Sequence, residues 1–390
     1  VTKTFGRSGS VKPVLNLHIG LNKTGSTSLQ SFLLHNSEQL RQKGVLYPGN
    51  RRLMLQAGHH RLAASIVGTD WQDLLDLSGG GDDPAEMLSL VRQEVDKAGC
   101  GQVVISSELL SSGQADRVAE VFGGLFSDTR IILYIRNYPD FMESFLAQEI
   151  LAEGLDSETF GKEYSRNFSL GLRGHYRRVL DAYSSAFGRE NIRLRILEKE
   201  QLTGGGICSD FLGLIGIEEV SGFRDAGIRN VTPGRNGLEF MMLLNRIHKN
   251  EGIDFTWVRI LRRQLKRVAA KRRYSLLESG LREEIPQWCE EECRGIARDF
   301  LGREDGRLFL SPGGKELEGN EHYPGLDPEF ALRVALATAE KAISQGAFPD
   351  VVRRADAGGE AAQPSSLAGR WARRIPGMVR MRQVLRRLIG

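Results

Sequence analysis

The chain of 390 residues carries 53 Lys and Arg against 49 Asp and Glu, a formal charge of +4. Hydrophobic residues at 41% and charged residues at 26% suit a folded globular protein and exclude wholesale disorder, a collagen-like repeat and a coiled coil. No run approaches the roughly 18 consecutive apolar residues of a membrane span, and the opening VTKTFGRSGSVKP lacks the apolar core of a secretory signal. Four cysteines, Cys100, Cys208, Cys289 and Cys293, are too few for a disulfide scaffold and point to a reducing compartment. The expectation is a cytoplasmic protein.

In chain order, VLNLHIG (Val14 to Gly20) reads as a buried strand entering a glycine-containing turn. Thr27 then opens a helical pattern carried by Leu29, Phe32, Leu33 and Leu40. GVLYPG (Gly44 to Gly49) reads as a second strand, and helices are predicted over His60 to Val67 and Pro84 to Ala98. VVISSE (Val103 to Glu108) and RIILYIR (Arg130 to Arg136) give the third and fourth strands. A helix from Tyr138 to Leu151 and a long one from Leu170 to Phe187 precede a fifth strand, Ile192 to Leu197, and a short helix, Ile207 to Ile217. This alternation predicts an α/β fold, three layers α/β/α around a mainly parallel sheet.

Beyond Gly222 the strand signals stop; Leu238 to Phe300 and Pro328 to Gly346 are helical in pattern. The expected organisation is a core over 1–236, a helical C-terminal part over 237–357, and a linker with a basic amphipathic tail over 358–390. The tail holds seven arginines and no acid from Ser365 onward, and without them the remainder has a formal charge of −3. A near-neutral body gives no reason to expect nucleic acid as a partner. The tail suits either an anionic membrane surface or a solvated end helix, and composition leaves both open.

The most informative residues are Gly20-Leu-Asn22-Lys23-Thr24-Gly25-Ser26-Thr27-Ser28. A strand that ends in such a turn and feeds a helix N-terminus presents unpaired backbone N–H groups and the positive end of the helix dipole. That arrangement binds phosphate. A triphosphate-binding loop of the form GxxxxGK[ST] places its Lys after the second glycine. Here Ser26 and Thr27 follow Gly25, and the lysine stands earlier, at Lys23. The turn therefore suits one phosphate plus a second anionic group better than a nucleoside triphosphate. A nucleotide kinase or other phosphotransferase is the alternative, and neither its lysine nor an apolar strand ending in a Mg²⁺-binding Asp is in place.

These residues resemble a known family. GLNKTGSTSL is similar to the 5′-phosphosulfate loop of sulfotransferases that use 3′-phosphoadenosine 5′-phosphosulfate (PAPS). ILYIRNYPDFMESF resembles the family's second signature, an Arg ending a strand with a Ser eight residues on, here Arg136 and Ser144. The resemblance implies that Asn22 to Ser28 hold the 5′ end of PAPS and that Arg136 and Ser144 bind its 3′-phosphate. RENIRLRILEKEQLTGGGICSDFLGLIGI matches the family more loosely. IRNVTPGRN stands where the family has a loop closing on the 3′-phosphate, so Arg229 and Arg235 are candidates there, although the family's RKGxxG string is missing. The likeness covers residues 14–236 and implies transfer of a sulfuryl group to a hydroxyl, most plausibly of a carbohydrate or glycolipid, with no metal.

For that chemistry Lys23 would neutralise charge on the leaving oxygen. A general base should help by about 10²–10⁴. Glu108, at the end of the third strand, is the first candidate, since sites in open α/β sheets lie at the carboxyl ends of strands. His60, with His59 beside it, is the second, but two adjacent histidines in a glycine-flanked loop otherwise read as polar surface. His18, alternating with apolar neighbours, reads as a buried core residue. Cys289 and Cys293 lack a second ligand pair, which argues against zinc.

Overall fold

The computed structural model describes residues 12–68, 83–111, 114–225, 233–251, 261, 265 and 274–344. The chain separates into two compact units made of interleaved stretches. The first comprises Val1–Arg136, Gly174–Arg229 and Glu291–Leu310; the second comprises Asn137–Arg173, Asn230–Glu290 and Ser311–Gly390.

The first unit is built on a five-stranded sheet, all parallel: β1 (Val14–His18), β2 (Val45–Leu46), β3 (Gln102–Ser106), β4 (Asp128–Ile135) and β5 (Ile192–Ile196). Its order is β2-β3-β1-β4-β5. In β1, Leu15, Asn16, Leu17 and His18 are all fully buried, as expected of a central strand covered on both faces. One helical layer holds α1 (Ser26–His35), α2 (Ser37–Gln42) and the later helix Ile207–Leu214. The other holds α3 (His60–Val67), α4 (Pro84–Ala98), α5 (Ala115–Phe122) and the helix His175–Phe187. With the sheet between them, the fold is a three-layer α/β/α.

The connection leaving β1 runs to β2 at one edge of the sheet, and the one leaving β4 runs to β5 at the other. Chain paths therefore diverge above the carboxyl ends of β1 and β4, which opens a crevice there.

The second unit is helical. It contains α6 (Tyr138–Ala152), α7 (Lys162–Gly171), α10 (Arg235–Glu251), α11 (Ser279–Trp288) and α13 (Pro328–Ser344), with His175–Phe187 numbered α8, Ile207–Leu214 α9 and Glu290–Leu301 α12. Pro139 in the first turn of α6 costs no helical hydrogen bond, and Asn137 caps that helix by accepting from the N–H of Asp140 at 3.0 Å. Buried Glu143 of α6 accepts from Arg282 of α11 at 2.8 Å, which keeps two charges paired inside the unit.

Several boundaries differ from expectation for local reasons. The helix predicted to run from Thr27 past Leu40 breaks at Asn36, whose side-chain amide donates to the carbonyls of Phe32 at 2.8 Å and Arg224 at 2.9 Å. The helix expected over Leu170 to Phe187 is two, α7 and α8, because Gly174 turns left-handed at φ 71°. The third strand ends at Ser106, two residues early. There the Ser107 hydroxyl accepts from the N–H of Leu109 at 3.3 Å and bends the chain into a 3₁₀ turn opened by Glu108. The short helix stops at Leu214 rather than Ile217.

Among the described residues no helix is long and apolar enough to cross a membrane. The tail and its linker lie outside the described residues, as does nearly all of the basic run from Arg259 to Arg273.

Asp210, fully buried on α9, closes the far side of the sheet. It accepts from Tyr134 at 2.8 Å, from the N–H of Thr203 at 2.9 Å and from Arg195 Nε at 2.9 Å, with a second, shorter contact from Arg195 Nη2. Burial pushes its carboxyl up, but these donors outweigh it and hold the group below the usual range. Replacing Asp210 by Ala strands the Arg195 guanidinium and the Tyr134 hydroxyl. The expected cost is about 3 kcal/mol, measured as a lower urea midpoint at an unchanged m-value.

Candidate active site

β1 does not stop at His18. Its ladder with β4 continues into the turn: Ile19 donates to Ile132 at 3.0 Å, Tyr134 to Gly20 at 2.9 Å and Leu21 to Tyr134 at 3.4 Å. Each added bond carries the turn alongside the last residues of β4 and brings Arg136 next to it. The guanidinium Nη1 of Arg136 donates to the carbonyl of Lys23 at 3.2 Å. Fully buried Tyr176 anchors the same strand end, its hydroxyl donating to the Arg136 carbonyl at 2.9 Å. Arg136 thus lies beside the turn, where the chain paths diverge between β1 and β4.

Within the turn, Lys23 is left-handed at φ 65°, a conformation that costs a non-glycine residue about 1–2 kcal/mol. Such strain gathers at functional sites. Gly25 precedes α1 without a capping side chain, and the first turn of α1 contains no acid. The helix N-terminus therefore keeps its positive end uncompensated by a carboxylate. Thr24 and Ser26 differ from expectation: both are buried, and their hydroxyls donate to the Leu21 carbonyl at 2.6 Å and 3.2 Å. They brace the turn from inside, while Asn22, Lys23, Thr27 and Ser28 are half-buried along its rim.

Glu108 stands immediately beside this turn. A Cβ on Gly20 would lie 2.9 Å from Glu108 Cβ and 3.2 Å from its Cα, so only glycine at position 20 lets the two segments approach this closely. Glu108 Oε2 accepts from Gln30 Nε2 at 2.8 Å and lies 4.0 Å from His60 Nδ1. The Glu108 and His60 side chains are 19% and 16% exposed, enough for a substrate to reach them while most water is excluded.

The expectation that His59 and His60 are polar surface is overturned. His59 is fully buried, with Nδ1 accepting from the N–H of Ser106 at 3.1 Å and Nε2 donating to the carbonyl of Pro48 at 2.9 Å. Burial lowers its pKa to about 4, so it is a neutral structural residue. His60 heads α3, with Nδ1 2.9 Å from the Ser107 hydroxyl. The nearby Glu108 carboxylate favours the proton on Nδ1, which leaves Nε2 as the basic nitrogen. His18 is buried as expected; its Nδ1 meets the Ser106 hydroxyl at 2.8 Å and burial lowers its pKa to about 4.

Three polar residues of this site carried no signal strong enough to be singled out: Gln30, Ser106 and Ser107. A usable clue existed for Gln30, which shares a buried helical stripe with Leu29, Phe32 and Leu33. A polar side chain on an apolar stripe is the informative exception.

The remaining described candidates belong to the second unit. Ser144 is half-buried in the second turn of α6, within the second unit. Arg235, also in that unit, is buried, pairs with Glu239 at 3.1 Å and lies 5.4 Å and 4.8 Å from the ring centres of Phe160 and Tyr323. Arg229 lies outside the described residues. Among the described residues no group of three or more His, Cys, Asp or Glu side chains could hold a metal ion.

No family model matches the chain, and no curated protein matches it. Among solved structures it is similar to a sulfotransferase from Alicyclobacillus acidocaldarius, at 16% identity and a TM-score of 0.31, covering 64% of this chain and 99% of that one.

The electrostatics of His60 can be read directly. Burial lowers its pKa below 6.5, and the charge of Glu108 partly raises it again. Glu108→Gln removes the raising influence, so the imidazole should titrate at still lower pH. A proton-detected NMR titration of the His60 ring in both proteins checks this; an unchanged or higher midpoint in the variant would contradict the geometry.

Proposed function

We propose that the chain is a PAPS-dependent sulfotransferase acting on a hydroxyl, with the crevice between β1 and β4 as its donor site. The observation that carries this reading is the hydrogen bond from Arg136 to the Lys23 carbonyl, which sets a guanidinium beside the turn that opens α1. That donor set suits a ligand with two separate anionic groups: backbone N–H groups and Lys23 for the phosphosulfate, the Arg136 fork for a phosphate monoester. Ser144, Arg229 and Arg235 enter the 3′-phosphate reading through the family resemblance, and the proposal does not rest on them.

Bound PAPS supplies the sulfuryl group: the acceptor oxygen–sulfur bond forms, the sulfur–oxygen bond to the 5′-phosphate breaks, and 3′,5′-ADP leaves. Lys23 offsets the negative charge that grows on the leaving oxygen. The N–H groups at the start of α1 hold the 5′-phosphate, with Thr27 and Ser28 at the rim. Glu108 accepts the acceptor's proton, and His60, neutral at physiological pH and 4.0 Å away, is the second base within reach. Both bases lose function on protonation, so activity should fall toward acid pH.

The acceptor class we propose is a carbohydrate or glycolipid. Peripheral membrane contact through the basic tail and a cytoplasmic location remain part of the proposal, as does the division into a core over 1–236 with a helical part after it.

The test is binding followed by transfer. 3′,5′-ADP should raise the melting temperature, and ATP should not; Arg136→Ala should remove the shift. With radiolabelled PAPS and a panel of sugars, lipids and phenols, Lys23→Ala should lower transfer by about 10²–10³ and Glu108→Gln by about 10²–10⁴. Stabilisation by ATP alone, or full transfer by Lys23→Ala, would overturn the reading.

A further inference from the structure

We propose that Gln30 is a positioning residue that locks the Glu108 carboxylate in place from the same helix that carries the anion-binding turn. This inference rests on the proposed function above. Gln30 stands four residues into α1, is almost fully buried, and uses both hydrogens of one amide nitrogen: Nε2 donates to Glu108 Oε2 at 2.8 Å and to Ser106 Oγ at 3.2 Å. The amide has only one workable orientation, because a carboxylate has no hydrogen to donate and the Gln30 carbonyl would repel it.

The second hydrogen bond makes the first one rigid. Ser106 is the last residue of β3, its backbone N–H is held by His59, and its hydroxyl also meets His18 Nδ1 at 2.8 Å. The Ser106 hydroxyl accepts from Gln30 and lies against the neutral His18 imidazole. Gln30 is thereby tied to β1 and β3 while reaching Glu108 from α1. The Glu108 oxygen left outside this chain, Oε1, is the one placed to receive a substrate proton.

Gly58 completes the arrangement. A Cβ there would lie 2.6 Å from His60 Nε2 and 2.9 Å from Gln30 Nε2, so the missing side chain is what allows the His60 ring and the Gln30 amide to lie side by side. Among the described residues, His18 of β1, Tyr47 after β2 and His60 of α3 feel the Glu108 charge. His18 and Tyr47 stay neutral near pH 7, because burial lowers the first and raises the second. Of Glu108 and His60, Glu108 receives the Gln30 hydrogen bond.

A hydrogen bond to the charged form of a carboxylate favours that form. Gln30→Met keeps the length and removes the donor. It should lower kcat about tenfold, leave the KM for PAPS unchanged, and move the acidic limb of the pH–rate profile to higher pH. Gln30→Glu sets a second carboxylate against Glu108 and should move the limb further. Melting temperatures close to the parent's accompany both if the role is positional.

An unmoved limb in two folded variants, or a joint change in kcat and the KM for PAPS, overturns the inference. A second arm is independent of turnover. In the parent protein the Gln30 side-chain amide resonances should shift as Glu108 titrates, and they should lose that response in Glu108→Gln. Resonances insensitive to pH in the parent overturn the inference whatever the activity. If they respond as expected while no acceptor is sulfated, the coupling stands and the sulfotransferase reading falls.

Discussion

The hydrogen bond from Arg136 to the Lys23 carbonyl is the constraint on which the site depends. It exists because the β1–β4 ladder continues past the regular strand, carrying Gly20 and Leu21 alongside Tyr134. Were β1 to end cleanly at His18, the turn would be free to lean away and Arg136 would face an open end of the sheet. The ladder instead keeps the Arg136 guanidinium against the turn at the divergence point of the fold. Burying Thr24 and Ser26 hydroxyls against Leu21 adds stiffness from below. The backbone N–H groups at the start of α1 are thus preorganised, which is where electrostatic catalysis takes its largest contribution.

Around this frame the acid–base groups are arranged by burial and by glycine. Glu108 and His60 come from different connections, one after β3 and one after β2, yet end 4.0 Å apart. What separates the two histidines is partner choice. His59 has both ring nitrogens engaged by backbone groups of Ser106 and Pro48, so its tautomer is fixed and neither nitrogen is available. His60 has one nitrogen held by Ser107, which leaves the other for chemistry. Identical side chains one residue apart therefore sit in different environments, one sealed by backbone groups and one beside Glu108.

The sheet, its helices and the turn between β1 and α1 were legible because they rest on local signals: β-branched runs, glycine in the turn, hydroxyls at a helix start. Most predicted elements stand within a few residues of their observed bounds. The misplaced boundaries turn on contacts that local pattern does not carry. Asn36 breaks a helix partly by bonding to Arg224, 188 residues away. Ser107 bends the chain at the end of a segment, VVISSE, that reads as strand through Glu108. His60 looked like surface because nothing nearby in sequence indicates that Glu108 and Gln30 converge on it. Gln30 was invisible for the same reason, its two acceptors lying 76 and 78 residues downstream.

The interleaving of the first unit bears on how this chain matures during synthesis. Its last stretch, Glu291–Leu310, returns to the first unit after Asn230–Glu290 has emerged. There Arg303 donates to Gln201 at 2.6 Å, and the N–H of Leu310 to Glu198 at 2.7 Å. A ribosome must therefore pass Leu310 before the loop after β5 can close. Until then the nascent α/β layer waits, incomplete, for a segment the ribosome has not yet released.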